Sequence, residues 1–177
     1  MAHIHTQPGQ HDHTVTAYIV RTDSTEPKIL LHMHKKLGRL LTIGGHIELD
    51  ETPWQAIAHE LQEESGYSLN ELLVLQPKER LARLSGVVMH PYPVVMNTHN
   101  VAPGHDHSDT GYAFVATAKP SGQINKGEST DLRWLTRSEL ETLDEADLFL
   151  NVKEAYLFVL DTCLKNWERV APSLYGL

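Results

Sequence analysis

Residues 44–67 read GGHIELDETPWQAIAHELQEESGY. The stretch holds six carboxylates (Glu48, Asp50, Glu51, Glu60, Glu63 and Glu64) and neither lysine nor arginine. So much negative charge in one place is unfavourable unless water or a cation neutralises it. The spacing favours a cation. Glu60, Glu63 and Glu64 stand at i, i+3 and i+4, which places them on one face of a helix. Trp54, Ile57, Ala58 and Leu61 form an apolar stripe, about a third of a turn away at roughly 100° per residue. One stripe packs; the other presents carboxylate oxygens.

The ends of this helix are also legible. Thr52 is a good N-cap, and Gln55 three residues on completes a capping box. Pro53 occupies the first helical position, where its missing N–H costs nothing. Gly66 suits a left-handed terminator. The pattern predicts a helix over residues 53–65.

The stretch closely resembles the Nudix box, the signature of the Nudix hydrolase superfamily. Gly45 is followed by five residues and then Glu51; seven more lead to His59-Glu60-Leu61-Gln62-Glu63-Glu64-Ser65-Gly66-Tyr67. Every fixed position matches except one, since His59 stands where the family has arginine. The resemblance implies an α/β chain with the Nudix fold, a curved mixed β-sheet sandwiched between α-helices. It also implies a hydrolase that uses Mg²⁺ or Mn²⁺ to cleave the pyrophosphate bond of a nucleoside diphosphate linked to another group.

Length and composition agree with that. A chain of 177 residues, 41% hydrophobic, suits one globular domain with a sizeable core. A single domain over residues 1–177 is expected, with residues 1–13 a histidine-rich arm carrying His3, His5, His11 and His13. The net charge of −8 supplies no basic face for bulk nucleic acid. It also means that an anionic substrate needs a metal bridge. Cys163 is the single cysteine, so no internal disulfide forms and a reducing cytoplasm is expected. No apolar run is long enough to span a membrane. The expected partners are a small phosphorylated substrate and, at most, a second copy of the chain in a homodimer.

Strands are expected at residues 14–21 (TVTAYIVR) and 28–34 (KILLHMH), forming a hairpin. Residues 39–43 read as a short strand delivering the chain to Gly44-Gly45. Strands are also expected at 71–77, 79–84, 111–118 and 131–135. Residues 87–97, broken by Pro91 and Pro93, read as an interrupted or edge strand. Residues 98–109, with His99, His105 and His107, read as a loop lying over the site or holding a second metal. Thr136 and Glu139 form another capping box before a short helix. A last helix is expected over residues 150–167, its buried stripe Val152, Tyr156, Val159, Cys163 and Trp167.

Hard divalent ions prefer oxygen ligands. Bound beside a diphosphate, they neutralise its charge and lower the pKa of a water. The resemblance assigns Glu63 and Glu64 as main metal ligands and Glu60 as ligand or water-orienting group, with the Gly44 carbonyl completing the shell. Glu51 is implied to support the loop geometry or the outer metal shell, and is a candidate substrate-binding residue. Glu128, six residues before Trp134, is the candidate for a further catalytic carboxylate from a later loop, with Asp131 the alternative. His46 and Arg39 (with Lys35 and Lys36) are candidate phosphate contacts. His59 is shorter than arginine and only partly charged near neutral pH, though it can still reach Glu63 at i+4. The expectation is reduced but not abolished activity. The competing reading is a catalytically weak, Nudix-like nucleotide-binding or regulatory domain. A third, isomerase-like activity on the same fold has no residue in its favour.

Overall fold

The computed structural model describes residues 10–176. The strands are β1 (His11–Arg21), β2 (Lys28–His34), β3 (Arg39–Leu41), β4 (Ile43–His46), β5 (Leu72–Gln76), β6 (Val95–Ala102), β7 (His105–Ala116), β8 (Leu132–Thr136) and β9 (Glu168–Val170). The helices are α1 (Pro53–Glu60), α2 (Arg137–Thr142), α3 (Leu150–Phe158) and α4 (Leu164–Asn166).

The strands form one mixed sheet in the order β3-β2-β1-β7-β5-β9, with β4 against β1, β6 against β7 and β8 against β2. Its centre is the parallel pair β1–β7, matched residue for residue from His11–Asp106 to Arg21–Ala116. On the other side of β1, β2 pairs with its last residues and β4 with Thr14 to Ala17, both antiparallel. The sheet has a core on each face. On one face, Val15, Ala17 and Ile19 of β1 and Tyr112 and Phe114 of β7 pack against Trp54, Ile57 and Leu61. The Trp54 ring stacks on Phe114 and meets Tyr112 and Tyr175 edge-on. On the other face, Tyr18, Val20, Ala113 and Val115 pack against Tyr156, Val159 and Cys163. The mixed α/β sandwich expected from the sequence is the one observed.

Helix α1 begins as its capping residues dictate. Thr52 Oγ1 accepts from the Gln55 N–H, and Gln55 Oε1 accepts from the Thr52 N–H at 2.9 Å. Its last turns, Leu61–Ser65, widen into π-type geometry before Gly66 stops it at φ +75°. The final helix continues α3 in the same way through Val159–Cys163 into α4.

Four expectations need correction. Residues 98–109 are not a loop: β6 and β7 form a hairpin through Pro103 and Gly104, so His99, His105 and His107 sit on strands. Residues 79–84 form no strand, because β9 takes the free edge of β5 and Arg80 instead pairs with Glu168. Residues 87–94 are irregular too, and the strand starts only at Val95, beyond Pro91 and Pro93. His11 and His13 belong to β1 rather than to an arm; His3 and His5 lie outside the described residues. None of the described helices is long and apolar enough to cross a membrane.

Candidate functional site

Strand β4 and helix α1 build the site together. Gly44 donates its N–H to Glu64 Oε2 at 3.0 Å, tying the strand to the carboxylate stripe. Gly45 leaves room beside it: a Cβ there would lie 2.0 Å from Glu60 Oε1. The glycine pair thus lets the helix carboxylates press against bare backbone. An open pocket of about 140 Å³ results, lined by His46, Glu48, His59, Glu60, Glu63 and Glu128. That volume suits ions and a phosphate group but not a whole nucleotide, since sites for ligands of that size are roughly 300–1,000 Å³.

The pocket holds four carboxylates and no lysine or arginine. Glu60 and Glu64 are almost fully buried. Burial, reinforced by neighbouring acids, pushes Glu60 up to about 7 despite the opposing effect of His59. Burial likewise pushes Glu64 up to about 8 against the opposing Gly44 hydrogen bond. A cation beside such carboxylates would favour their charged form. Hard oxygen donors converging on a small cavity fit a Mg²⁺- or Mn²⁺-type ion, so Gly44, Glu60, Glu63 and Glu64 are chemically suited to the role the resemblance implies.

Other groups hold this arrangement. His59 Nδ1 lies 3.3 Å from Glu51 Oε1 and its Nε2 lies 3.2 Å from Glu63 Oε1. Glu51 also accepts from the Glu48 N–H at 3.3 Å. Glu51 therefore braces the acidic loop and does not line the pocket. Glu128 arrives on a loop pinned to the helix end. Gly122 N–H donates to Gly66 O, and Asn125 donates to Glu63 twice, backbone to backbone at 2.8 Å and side chain to Oε1 at 2.8 Å. Lys35 Nζ holds the Gly127 carbonyl. Asp131, the alternative to Glu128, is exposed and paired with Arg133.

Of the two candidate phosphate contacts, His46 lines the pocket and Arg39 does not. The Arg39 guanidinium stacks on Phe149 at 4.6 Å. His46 borders the pocket, yet its ring sits 4.9 Å from that of His107 and 3.6 Å from an Asp12 oxygen. Asn125 and Glu48 escaped the assignment of roles from sequence. A loop asparagine carries no periodic signal, and Glu48 looked like one acid among several.

Comparisons with known proteins give the family and the fold. The family model described as NUDIX domain matches residues 12–154. A NUDIX-family hydrolase from Clostridium perfringens is similar in structure, with TM-score 0.71 and 29% identity over 86% of this chain and 97% of that one. A C. elegans Ap4A hydrolase shares the fold at TM-score 0.62 and 14% identity, covering 82% and 93%. So does an ADP-ribose pyrophosphatase from Streptococcus suis, at TM-score 0.56 and 18% identity, covering 90% and 97%. No curated protein sequence matches significantly.

Proposed function

The chain belongs to the NUDIX hydrolase family, and from that premise we propose that it is a Mg²⁺- or Mn²⁺-dependent hydrolase of the P–O–P bond in a nucleoside diphosphate joined to a second group. The observation that carries this reading is the carboxylate cluster at one pocket: Glu48, Glu60, Glu63 and Glu128 line it, and the buried Glu64 is tied behind it by the Gly44 N–H.

Glu60, Glu63 and Glu64, with the Gly44 backbone, would hold the divalent ion. When bound, that ion supplies charge neutralisation at the phosphates and acidifies water. The chain's own residues do the rest. His59 and Asn125 fix the Glu63 carboxylate by two contacts to one oxygen. The Gly44 N–H fixes Glu64. To Glu128, which lines the pocket on its pinned loop, falls the proposed role of accepting a proton from the attacking water. The pocket's size leaves the nucleoside outside it.

The test is a panel including ADP-ribose, diadenosine polyphosphates and nucleotide sugars, assayed with Mg²⁺ and with Mn²⁺. Glu63→Gln and Glu64→Gln should each lower kcat/KM about a hundredfold or more. Equal turnover in the variants would refute the assignment. Tight nucleotide binding with no turnover would point instead to a binding domain.

A further inference from the structure

The sheet face opposite α1 carries a second cluster of ligand-type side chains. Val15, Ala17 and Ile19 of β1 pack under α1, so strand alternation turns Asp12, Thr14 and Thr16 the other way. Register then assembles the neighbours. Asp12 lies opposite His107 of β7, Thr14 lies opposite His46 of β4, and His99 of β6 lies opposite His107. One donor atom from each of Asp12, His46, His105 and His107 lies within 4.8 Å of all the others. The His107 ring meets those of His46, His105 and His99 edge-on at 4.9, 5.2 and 5.5 Å.

Asp12 is the key to the cluster. Its side chain is 0% exposed, and neither carboxylate oxygen has a hydrogen-bond partner. A buried carboxylate in that condition costs several kcal/mol unless a cation compensates it. Among the described residues its ion-pair neighbours are His105 Nε2 at 3.3 Å and His46 Nε2 at 3.6 Å. Direct charge-assisted hydrogen bonds are shorter, about 2.7–2.9 Å. Two donors each ~2.1 Å from a shared tetrahedral ion stand ~3.4 Å apart, which is the spacing found. Imidazoles this close also resist being protonated together.

We propose that Asp12, His46, His105 and His107 form a second cation site, for a transition-metal ion of zinc's class, beside the carboxylate pocket whose rim His46 also borders. Imidazole selects zinc-like ions where carboxylate sites select Mg²⁺ or Mn²⁺. Four protein donors close the shell, which marks a structural ion rather than a catalytic one. The ion clasps β1, β4 and β7 next to Gly44 and Gly45.

The test uses the full chain carrying His3→Ala and His5→Ala, stripped with chelator and titrated with ZnCl₂ against a chromophoric competitor. One Zn²⁺ should bind per chain, and should still bind when Glu63→Gln and Glu64→Gln are added. His107→Ala and Asp12→Asn should weaken binding by about tenfold or more and abolish the zinc-induced rise in Tm. The proposal is overturned if the chain lacking both glutamates binds no zinc, or if His107→Ala and Asp12→Asn bind it as the parent does. Crystals of the unmutated chain soaked in ZnCl₂ decide the matter should those variants not fold. An anomalous peak between Asp12 and His107 upholds it, and no peak at saturating zinc refutes it.

Discussion

His59 contacts Glu51 and Glu63 through opposite nitrogens of one ring. A neutral imidazole has a single N–H donor, so both contacts are hydrogen bonds only in the imidazolium. Partial burial alone would lower its pKa. The Glu63 hydrogen bond and the charges of Glu63, Glu51 and Glu60 outweigh that and raise it. A raised value means the double contact is present below it and lost as pH rises through it. Activity should therefore fall on the alkaline side. His59→Arg should retain about two- to fivefold more activity there, since a half-exposed ion pair is worth roughly 0.2–1 kcal/mol. A pH–rate profile identical in both proteins would sink this account. His32 behaves in the opposite sense. It is buried, its Nδ1 lacks a partner, and burial with the nearby His34 pushes it down to about 4. Its contribution to stability is intact above about pH 6.5 and is lost as pH falls toward 4. Between those limits the wild type should lose about 1–3 kcal/mol more than His32→Leu, as urea unfolding at pH 4.5 and 7 would show.

Strand β4 is four residues long, and its two central positions answer the same substitution differently. Gly44 has φ +152°, and a Cβ there would lie 2.2 Å from the Val15 carbonyl oxygen. Neither the backbone conformation nor the neighbouring strand can yield cheaply, so Gly44→Ala should cost ~2–4 kcal/mol. At Gly45 the obstacle is the far end of Glu60, which can swing aside. Gly45→Ala should melt near the wild-type temperature while losing about tenfold or more in kcat, because a displaced carboxylate no longer faces the pocket. Parallel melting curves and kinetics separate the two; equal loss of stability would contradict the difference. Elements with local punctuation were the readable ones. Thr52 with Gln55, and Thr136 with Glu139, mark their helix starts because a cap is made within three residues. The β6–β7 hairpin gave no such mark. Only residues 111–116 of it carry an apolar pattern; residues 97–100 and 105–110 are polar and β6 is largely exposed, so that part of the pairing depends on the two strands meeting each other.

A net charge of −8 concentrates where the chain can least afford it. Glu60 and Glu64 hold protons to about 7 and about 8, against roughly 4.3 for a free glutamate. In the metal-free protein their folded values are raised, so the associated stability is present below about pH 4.3 and lost as pH rises through 7 to 8. Melting in EDTA should fall steeply over that window. Mg²⁺ or Mn²⁺ should reverse the fall, and Glu64→Gln should flatten it; a flat profile in EDTA would contradict the burial argument. The carboxylate helix was legible in advance because its ligands sit within one continuous stretch. The Asp12 cluster was legible only in part: residues 98–109 suggested a second metal, but not its partners, because four strands that meet only in the folded sheet bring Asp12 and His46 to His99, His105 and His107.

The unbroken register of β1 against β7 also constrains how the chain can change in length. All eleven residues of β1 have a partner on β7. One inserted or deleted residue would turn every later side chain to the opposite face. Asp12 would exchange places with core positions, and Val15 with the histidine cluster. Length variation in descendants of this sequence is therefore excluded from β1 and β7 and left to segments where no ladder has to stay in step, such as the turn at Pro103 and Gly104 and the irregular segment 78–94.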